Sequence, residues 1–265
     1  MPSLCLLGAI AGDVIGSVYE FCAPKSTDFD LFTPKSAVTD DTILTLAVAE
    51  AILDGGRYLE FIRDYARRFP NESYGGRFHM WMYTEPPRPY NSYGNGSAMR
   101  VSAVGWAFET PDDVLREAQD SAAVTHDHPE GVKGAQAVAL AVLRARTGAS
   151  KEAIRSEITA RFGYDLSRTL AEIRPGYSFD ETCQGTVPQA MTAFFEAQDF
   201  EAAVRLAVSL GGDADTLAAI SGSIAEAFFG GIPSEIAAQV QARVPAQLWQ
   251  VVERFSREYA GHRPA

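Results

Sequence analysis

The chain is expected to be all-α, a single compact multi-helix domain over residues 1–265. Three observations lead there. Apolar residues recur at helical spacing, as Ile43, Leu44, Ala47, Val48, Ala51 and Ile52 do between Asp41 and Leu53. Glycine and proline punctuate the periodic runs, at Gly55-Gly56, Pro86-Pro87, Pro129, Gly148, Pro175-Gly176 and Gly230-Gly231. Sustained two-residue alternation, the mark of a half-buried strand, is scarce.

Composition bounds the function. At 46% hydrophobic and 22% charged, 265 residues suffice for a sizeable core. The net charge of −11 argues against non-specific binding of nucleic acid or an anionic membrane. An anionic small ligand stays open, because backbone dipoles or metal can meet it. Cys5, Cys22 and Cys183 are too few and too widely spaced for a disulfide framework or a zinc site, so reduced thiols and a cytoplasmic location are expected. No apolar stretch reaches the roughly 18 residues of a membrane span.

Taken in order, Leu4 to Ile10 is apolar without a basic segment before it, and predicts a buried first helix rather than a signal peptide. Gly12 and Gly16, four residues apart, share one face and let another helix approach; Glu20 is expected one turn further along that face. Helical runs follow at 41–53, 58–69, 112–123, 131–146 and 152–161, then at 186–197, 200–210, 216–229 and 247–259. The longest loop is expected between Tyr83 and Gly96, and long ordered loops in compact domains are often functional. Pro129 fits the first turn of a helix capped by Asp127 or His128.

Two acidic clusters stand out, Thr39-Asp40-Asp41-Thr42 and Gly211-Gly212-Asp213-Ala214-Asp215-Thr216. Each precedes an apolar helical run. N-capping accounts for one oxygen-bearing side chain per helix but less well for two carboxylates. If the two helix starts meet, their like charges require protons or cations. All-oxygen ligands suit Mg²⁺, Mn²⁺ or Ca²⁺ better than zinc. The pattern leaves capping and metal binding open, and leaves Glu20 open between a paired rim carboxylate and a site residue.

The segment Asn91-Ser92-Tyr93-Gly94-Asn95-Gly96-Ser97-Ala98-Met99-Arg100 has glycines that let successive N–H groups turn to one side, with a helix starting near Ser97. That suits either a phosphate cradle or a turn capped by Ser97. Thr125-His126-Asp127-His128 matches no common zinc spacing. Structural ion pairs are the simple expectation for Asp13 and Arg100.

Together, Gly8 to Ser17 with Tyr19-Glu20-Phe21, Thr39 to Thr42, Ser92 to Arg100, Thr125-His126 and Gly211 to Thr216 resemble the ADP-ribosylglycohydrolase family, including the dinitrogenase-reductase-activating glycohydrolases. The resemblance covers most of the chain. It implies an all-helical fold with two Mg²⁺ or Mn²⁺ ions in a cleft, held by Thr39, Asp40 and Asp41 on one side and Asp213, Asp215 and Thr216 on the other. It implies catalytic roles for Glu20, Asp40 and Asp215, with the base left open between Glu20 and a metal-bound aspartate. Ser92, Tyr93, Gly94, Asn95 and Gly96 would take the diphosphate, with Tyr93 near adenine, and His126 would line the ADP-ribose cleft.

The reaction implied is metal-dependent hydrolysis that releases ADP-ribose from a protein side chain, arginine or serine, or from a small ADP-ribosyl compound. The alternatives are a non-catalytic ADP-ribose binder, a crystallin-like structural protein, and a hydrolase of another ribosyl nucleotide. The segment Arg174 to Gln184 is expected at the cleft mouth, where Tyr177 or Phe179 packs on the ligand or both anchor the core.

Overall fold

The computed structural model describes residues 4–22 and 24–261. The ends of the expected 1–265 domain and residue 23 lie outside the described residues. The chain is built from helices, and among the described residues the one bridge outside them joins Gly94 to Thr182.

At the centre lie two mainly apolar helices that are buried on all faces. They are α1 (Leu7–Gly16), wholly buried, and α13 (Ala214–Phe229), buried through Ala227. Between them in sequence come α2 (Asp40–Leu53), α3 (Tyr58–Arg68), α4 (Gly76–Trp81), α5 (Gly96–Met99), α6 (Ser102–Ala107) and α7 (Pro111–Ala123). Then follow α8 (Pro129–Arg146), α9 (Lys151–Phe162), α10 (Leu170–Ile173), α11 (Cys183–Glu196) and α12 (Phe200–Val208). The chain closes with α14 (Ser234–Gln241) and α15 (Ala246–Tyr259). Helices α1, α8, α11 and α12 surround α13, while α3, α7 and α15 present polar faces outward.

The α1–α13 packing decides where the site forms. A β-carbon at Gly8 would lie 2.3 Å from the Gly222 carbonyl oxygen, and one at Gly12 would lie 2.1 Å from that of Ala218. One at Gly16 would lie 2.4 Å from the Asp215 α-carbon. The register runs antiparallel, so the last turn of α1 meets the first turn of α13. Only missing side chains allow backbones this close, as the Gly12/Gly16 spacing led one to expect.

Several helix starts follow local chemistry. Thr110 caps α7, with Pro111 in the first turn, and His128 accepts from the Glu130 N–H ahead of Pro129. Ser150, Thr182 and Asp199 cap α9, α11 and α12. Helix boundaries differ from the expected ones by a few residues, and the short helices α4, α5, α6, α10 and α14 lack the length for a clear period. Residues 4–6 precede α1 rather than opening it; Leu6 takes a left-handed conformation at φ 73°.

Two expectations are corrected. Glu20 is not on the helix with Gly12 and Gly16, because α1 ends at Gly16 and residues 17–22 form turns. The Tyr19 N–H reaches back only to the Gly16 carbonyl (2.7 Å), its ring meets Phe29 edge-on at 4.8 Å, and its hydroxyl donates to the Asp30 carbonyl. These contacts hold the chain off the helix axis. Ser97 does not cap α5: its hydroxyl donates to the Gly131 carbonyl at 2.7 Å, tying α5 to α8. Among the described residues, no helix is long and apolar enough to cross a membrane.

Candidate active site

The site forms where the starts of α2 and α13 meet the turn after α1. Asp13, buried on α1, takes over the opening of α2. Its Oδ2 accepts the N–H groups of Thr39 (3.0 Å) and Thr42 (3.1 Å), and its Oδ1 accepts the Thr39 hydroxyl (2.7 Å). The Thr39 hydroxyl in turn accepts the Asp41 N–H. The unpaired donors of the first turn are thus met from another helix and by Thr39, which frees Asp40 and Asp41 from capping. Asp213 stands at the N-cap position of α13 but makes no capping bond there. Its Oδ2 accepts from the Asn95 amide at 2.7 Å. Capping of α2 therefore engages Thr39, while at the start of α13 Asp215 Oδ1 accepts the Thr216 N–H at 3.0 Å.

Carboxylate oxygens of Glu20, Asp213 and Asp215 lie within 4.8 Å of one another, a spacing that fits a metal site. Asp40 and Asp41 line the same cleft, and Thr216 joins the halves by donating to Asp41 Oδ2 at 3.3 Å. The other oxygen of Asp41, Oδ1, is buried and has no hydrogen-bond partner among the described residues. At an effective dielectric near 20, a pair of like charges at this range costs roughly 3–4 kcal/mol. A single hydrogen bond offsets only about 1 kcal/mol of that. Without cations the carboxyls therefore hold protons.

Burial, with Asp213 and Asp13 nearby, raises Glu20 to about 7. Burial, with Asp13, Asp213 and Glu20, raises Asp40 to about 8. Burial and neighbouring aspartates push Asp41 and Asp215 well above the usual carboxylate range. An orphaned buried oxygen among crowded hard-oxygen donors fits a divalent cation.

The cleft holds about 410 Å³, within the range of small-molecule sites. It is also lined by Arg77, Tyr90, Arg100, His126 and the segment from Ser92 to Gly96. That segment is clamped. The Asn91 N–H donates to Asp127 and the Asn95 N–H to the Glu181 carbonyl, both at 2.7 Å, and the Cys183 N–H donates to Tyr93 (2.9 Å). The Gly94 N–H turns to the Ser92 hydroxyl. Two of the N–H groups expected to face an anion, those of Gly94 and Asn95, are therefore used internally. Tyr93 is exposed beside the cleft, its ring edge-on to His128 at 5.3 Å.

The expected site residues Glu20, Asp40, Asp41, Asp213, Asp215, Thr216, Ser92, Tyr93, Gly94, Asn95, Gly96 and His126 all line this one cleft, with Thr39 behind it. Two residues were read differently from sequence. Among the described residues, neither Asp13 nor Arg100 makes an ion pair. Asp13 organises α2, and its burial raises it to about 6. Arg100, fully buried, donates from Nη2 to the Ser121 carbonyl and the Thr125 hydroxyl, both at 3.0 Å. An acid following a small-residue helix face was the only sign of Asp13's part. At the mouth, Phe179 lines the cleft and stacks at 6.0 Å on Phe21, whereas Tyr177 packs against the core and donates its hydroxyl to Gly185.

An all-helical fold with an acid-floored cleft, lined by a glycine-rich loop and a histidine, defines a class of small-molecule cleft whose acids fit a metal site. Residues 4–265 match the family described as ADP-ribosylglycohydrolase, and the chain belongs to that family. ADP-ribosylhydrolase ARH3 of Mus musculus is 28% identical over 308 residues, which cover 85% of this chain and 83% of that protein. ADP-ribosylarginine hydrolase Tri1 of Pseudomonas putida (strain GB-1) is 26% identical over 282 residues, covering 87% and 71%. A solved structure described as an ADP-ribosylglycohydrolase-related protein complex superposes with a TM-score of 0.73 at 28% identity, covering 96% of this chain and 95% of that one.

Proposed function

We propose that this protein hydrolyses the glycosidic bond between ADP-ribose and a modified side chain, arginine or serine, or a small acceptor. The observation that carries this reading is the convergence of Glu20, Asp213 and Asp215 in a cleft that Ser92 to Gly96 and His126 also line. Membership of the ADP-ribosylglycohydrolase family supports the same reaction class.

In this reading Thr39, Asp40, Asp41, Asp213, Asp215 and Thr216 hold two divalent cations, Mg²⁺ or Mn²⁺. Bound metal would supply Lewis acidity and a more acidic water. The chain's own residues do the rest. The wall from Ser92 to Gly96 takes the diphosphate, Tyr93 lies towards adenine, and His126 lines the ADP-ribose. The distal ribose is thereby directed to the acidic end. Carboxylates there stabilise the positive charge that develops at the anomeric carbon as its bond to the acceptor breaks. The bond from the anomeric carbon to the acceptor breaks as water's oxygen bonds to that carbon, and Glu20 takes the proton that water releases and returns a proton to the departing nitrogen or oxygen. A carboxylate at the acidic end of the cleft, beside Asp213 and Asp215, is placed for that transfer. Asp40 and Asp215 flank the reacting carbon in this scheme.

The test is ADP-ribose release from ADP-ribosyl-arginine and ADP-ribosyl-serine peptides with Mg²⁺, with Mn²⁺ and with EDTA. Release from one peptide that EDTA stops is the expected result and names the linkage. No release from either peptide or from small ADP-ribosyl compounds, with metal and ADP-ribose both bound, would overturn the hydrolase reading.

A further inference from the structure

His126 is buried, and its two ring nitrogens face different surroundings. Nδ1 lies 2.7 Å from the Thr125 hydroxyl. Nε2 lies on the cleft side, 3.5 Å and 3.3 Å from where β-carbons of Gly94 and Gly96 would stand, and among the described residues it has no hydrogen-bond partner. The Thr125 hydroxyl is fully buried and also lies 3.0 Å from Nη2 of Arg100, a group that can only donate.

A hydroxyl has one proton and two lone pairs. The Arg100 guanidinium takes one lone pair. If Nδ1 carried the ring proton, the hydroxyl would accept from both neighbours and its own proton would be buried without an acceptor. If Nδ1 is bare, every proton is used: Arg100 donates to Thr125, and Thr125 donates to His126. Leaving a buried donor unpaired is the costlier arrangement, enough to favour the second by about tenfold or more.

We propose that Arg100 and Thr125 are positioning residues that lock neutral His126 in its Nε2–H tautomer, so that the ring donates a hydrogen bond to the diphosphate of the ligand. The diphosphate part rests on the ADP-ribose reading above. Burial and the charges of Arg100 and Arg77 push the His126 pKa well below its usual value, which keeps the ring neutral. A neutral ring that could present either a lone pair or a proton to an anion is made to present the proton. The second ring nitrogen setting the role of the first is how histidine is commonly tuned.

The measurement is long-range ¹H–¹⁵N correlation of the side-chain imidazoles near neutral pH, in the Mg²⁺-loaded protein with and without ADP-ribose. The chain has four histidines, so His126 is assignable by a His126→Gln control. The expected ligand-free spectrum shows a bare Nδ1 and a protonated Nε2, and ADP-ribose moves the Nε2–H signal downfield. Thr125→Val should mix the tautomers and weaken ADP-ribose binding about tenfold, while Thr125→Ser should restore both. A ligand-free wild type with Nδ1 protonated overturns the proposal, as does Thr125→Val with unchanged tautomer and affinity. If Thr125→Val does not fold, the wild-type spectrum and Thr125→Ser decide, and a scrambled tautomer in the serine variant overturns the relay. Wild type that shows the locked tautomer but binds no ADP-ribose refutes the ligand reading and leaves the lock standing.

Discussion

The Asn95 side-chain amide donates to Oδ2 of Asp213 at 2.7 Å and to the Thr186 hydroxyl at 3.1 Å. The glycine-rich wall and the acidic floor are therefore one hydrogen-bonded unit. Asp213 also offers a carboxylate oxygen within 4.8 Å of those of Glu20 and Asp215. Removing such an outer partner typically costs 10–100-fold in metal affinity. Asn95→Ala should weaken Mg²⁺ or Mn²⁺ binding by about tenfold or more in calorimetric titration. Unchanged affinity would show that Asp213 needs no such support.

Asp215 is buried beside Glu20 and Asp213. Asp215→Ala should lower turnover by at least ~100-fold, the scale of losing one preorganised electrostatic group. Its far-ultraviolet circular dichroism should match wild type, because the change loses one first-turn hydrogen bond, from the Thr216 N–H, and relieves repulsion among buried carboxyls. Full metal-dependent activity in this variant would move the reaction centre elsewhere.

Metal-free stability should fall with rising pH. Glu20 and Asp40 are raised to about 7 and about 8, against roughly 4 in an unfolded chain. The folded protein therefore holds more protons than the unfolded one between about pH 4 and pH 8. Stability is fully present below that window and is lost as pH climbs through it. Melting in EDTA at pH 5.5 and pH 8 should show the lower Tm at pH 8, and Mg²⁺ should raise Tm more at pH 8 than at pH 5.5. A metal-free Tm that rises across this range would contradict the crowding of carboxyls.

Gly12→Ala should separate α1 from α13. Its β-carbon would meet the Ala218 carbonyl at 2.1 Å, a backbone contact with no side chain to rotate aside. Overpacking of this kind costs about 1–3 kcal/mol. Chemical denaturation should register that loss, and metal affinity should drop with it, since Asp13 and Asp215 ride on the two helices. A variant as stable as wild type would mean the helices part without penalty.

Phe21 is 83% exposed and stacks on Phe179 at the cleft mouth. An exposed aromatic pair there fits contact with the acceptor rather than with ADP-ribose. Phe21→Ala should raise KM for an ADP-ribosylated protein roughly 2–10-fold, the worth of one aromatic contact, and leave the affinity for free ADP-ribose unchanged. Equal effects on both ligands would assign the pair to the nucleotide.

The fold class was legible because burial leaves a period in the sequence. The runs at Asp41 to Leu53 and Thr216 to Phe229 are helices that start at or within two residues of where the acids and hydroxyls suggested. Helices such as α5 and α10 carry four residues each, too few to express a period. Glu20 was recognisable by its motif but not by its geometry, since Tyr19 and Phe29 pull it off the helix through contacts ten residues apart. Asp13 and Arg100 looked alike as candidates for structural ion pairs in glycine-rich settings. Asp13 proved to serve backbone N–H groups 26 and 29 residues away, and Arg100 a threonine hydroxyl 25 residues away.

By itself, the sequence determined the helical architecture, the family, the identity of the acids and the need for charge compensation. These follow from residue type and local spacing, which act over a turn or two of chain. Tertiary structure alone decided that Asp13 rather than Asp40 or Asp41 would satisfy the start of α2, that Asn95 would hold Asp213, and that Thr125 would stand between Arg100 and His126. Each of those is a hydrogen bond whose partners are set by how closely Gly8, Gly12 and Gly16 let α1 approach α13, or by which carbonyls clamp a loop. Such distances depend on the packed whole, and no local pattern encodes them.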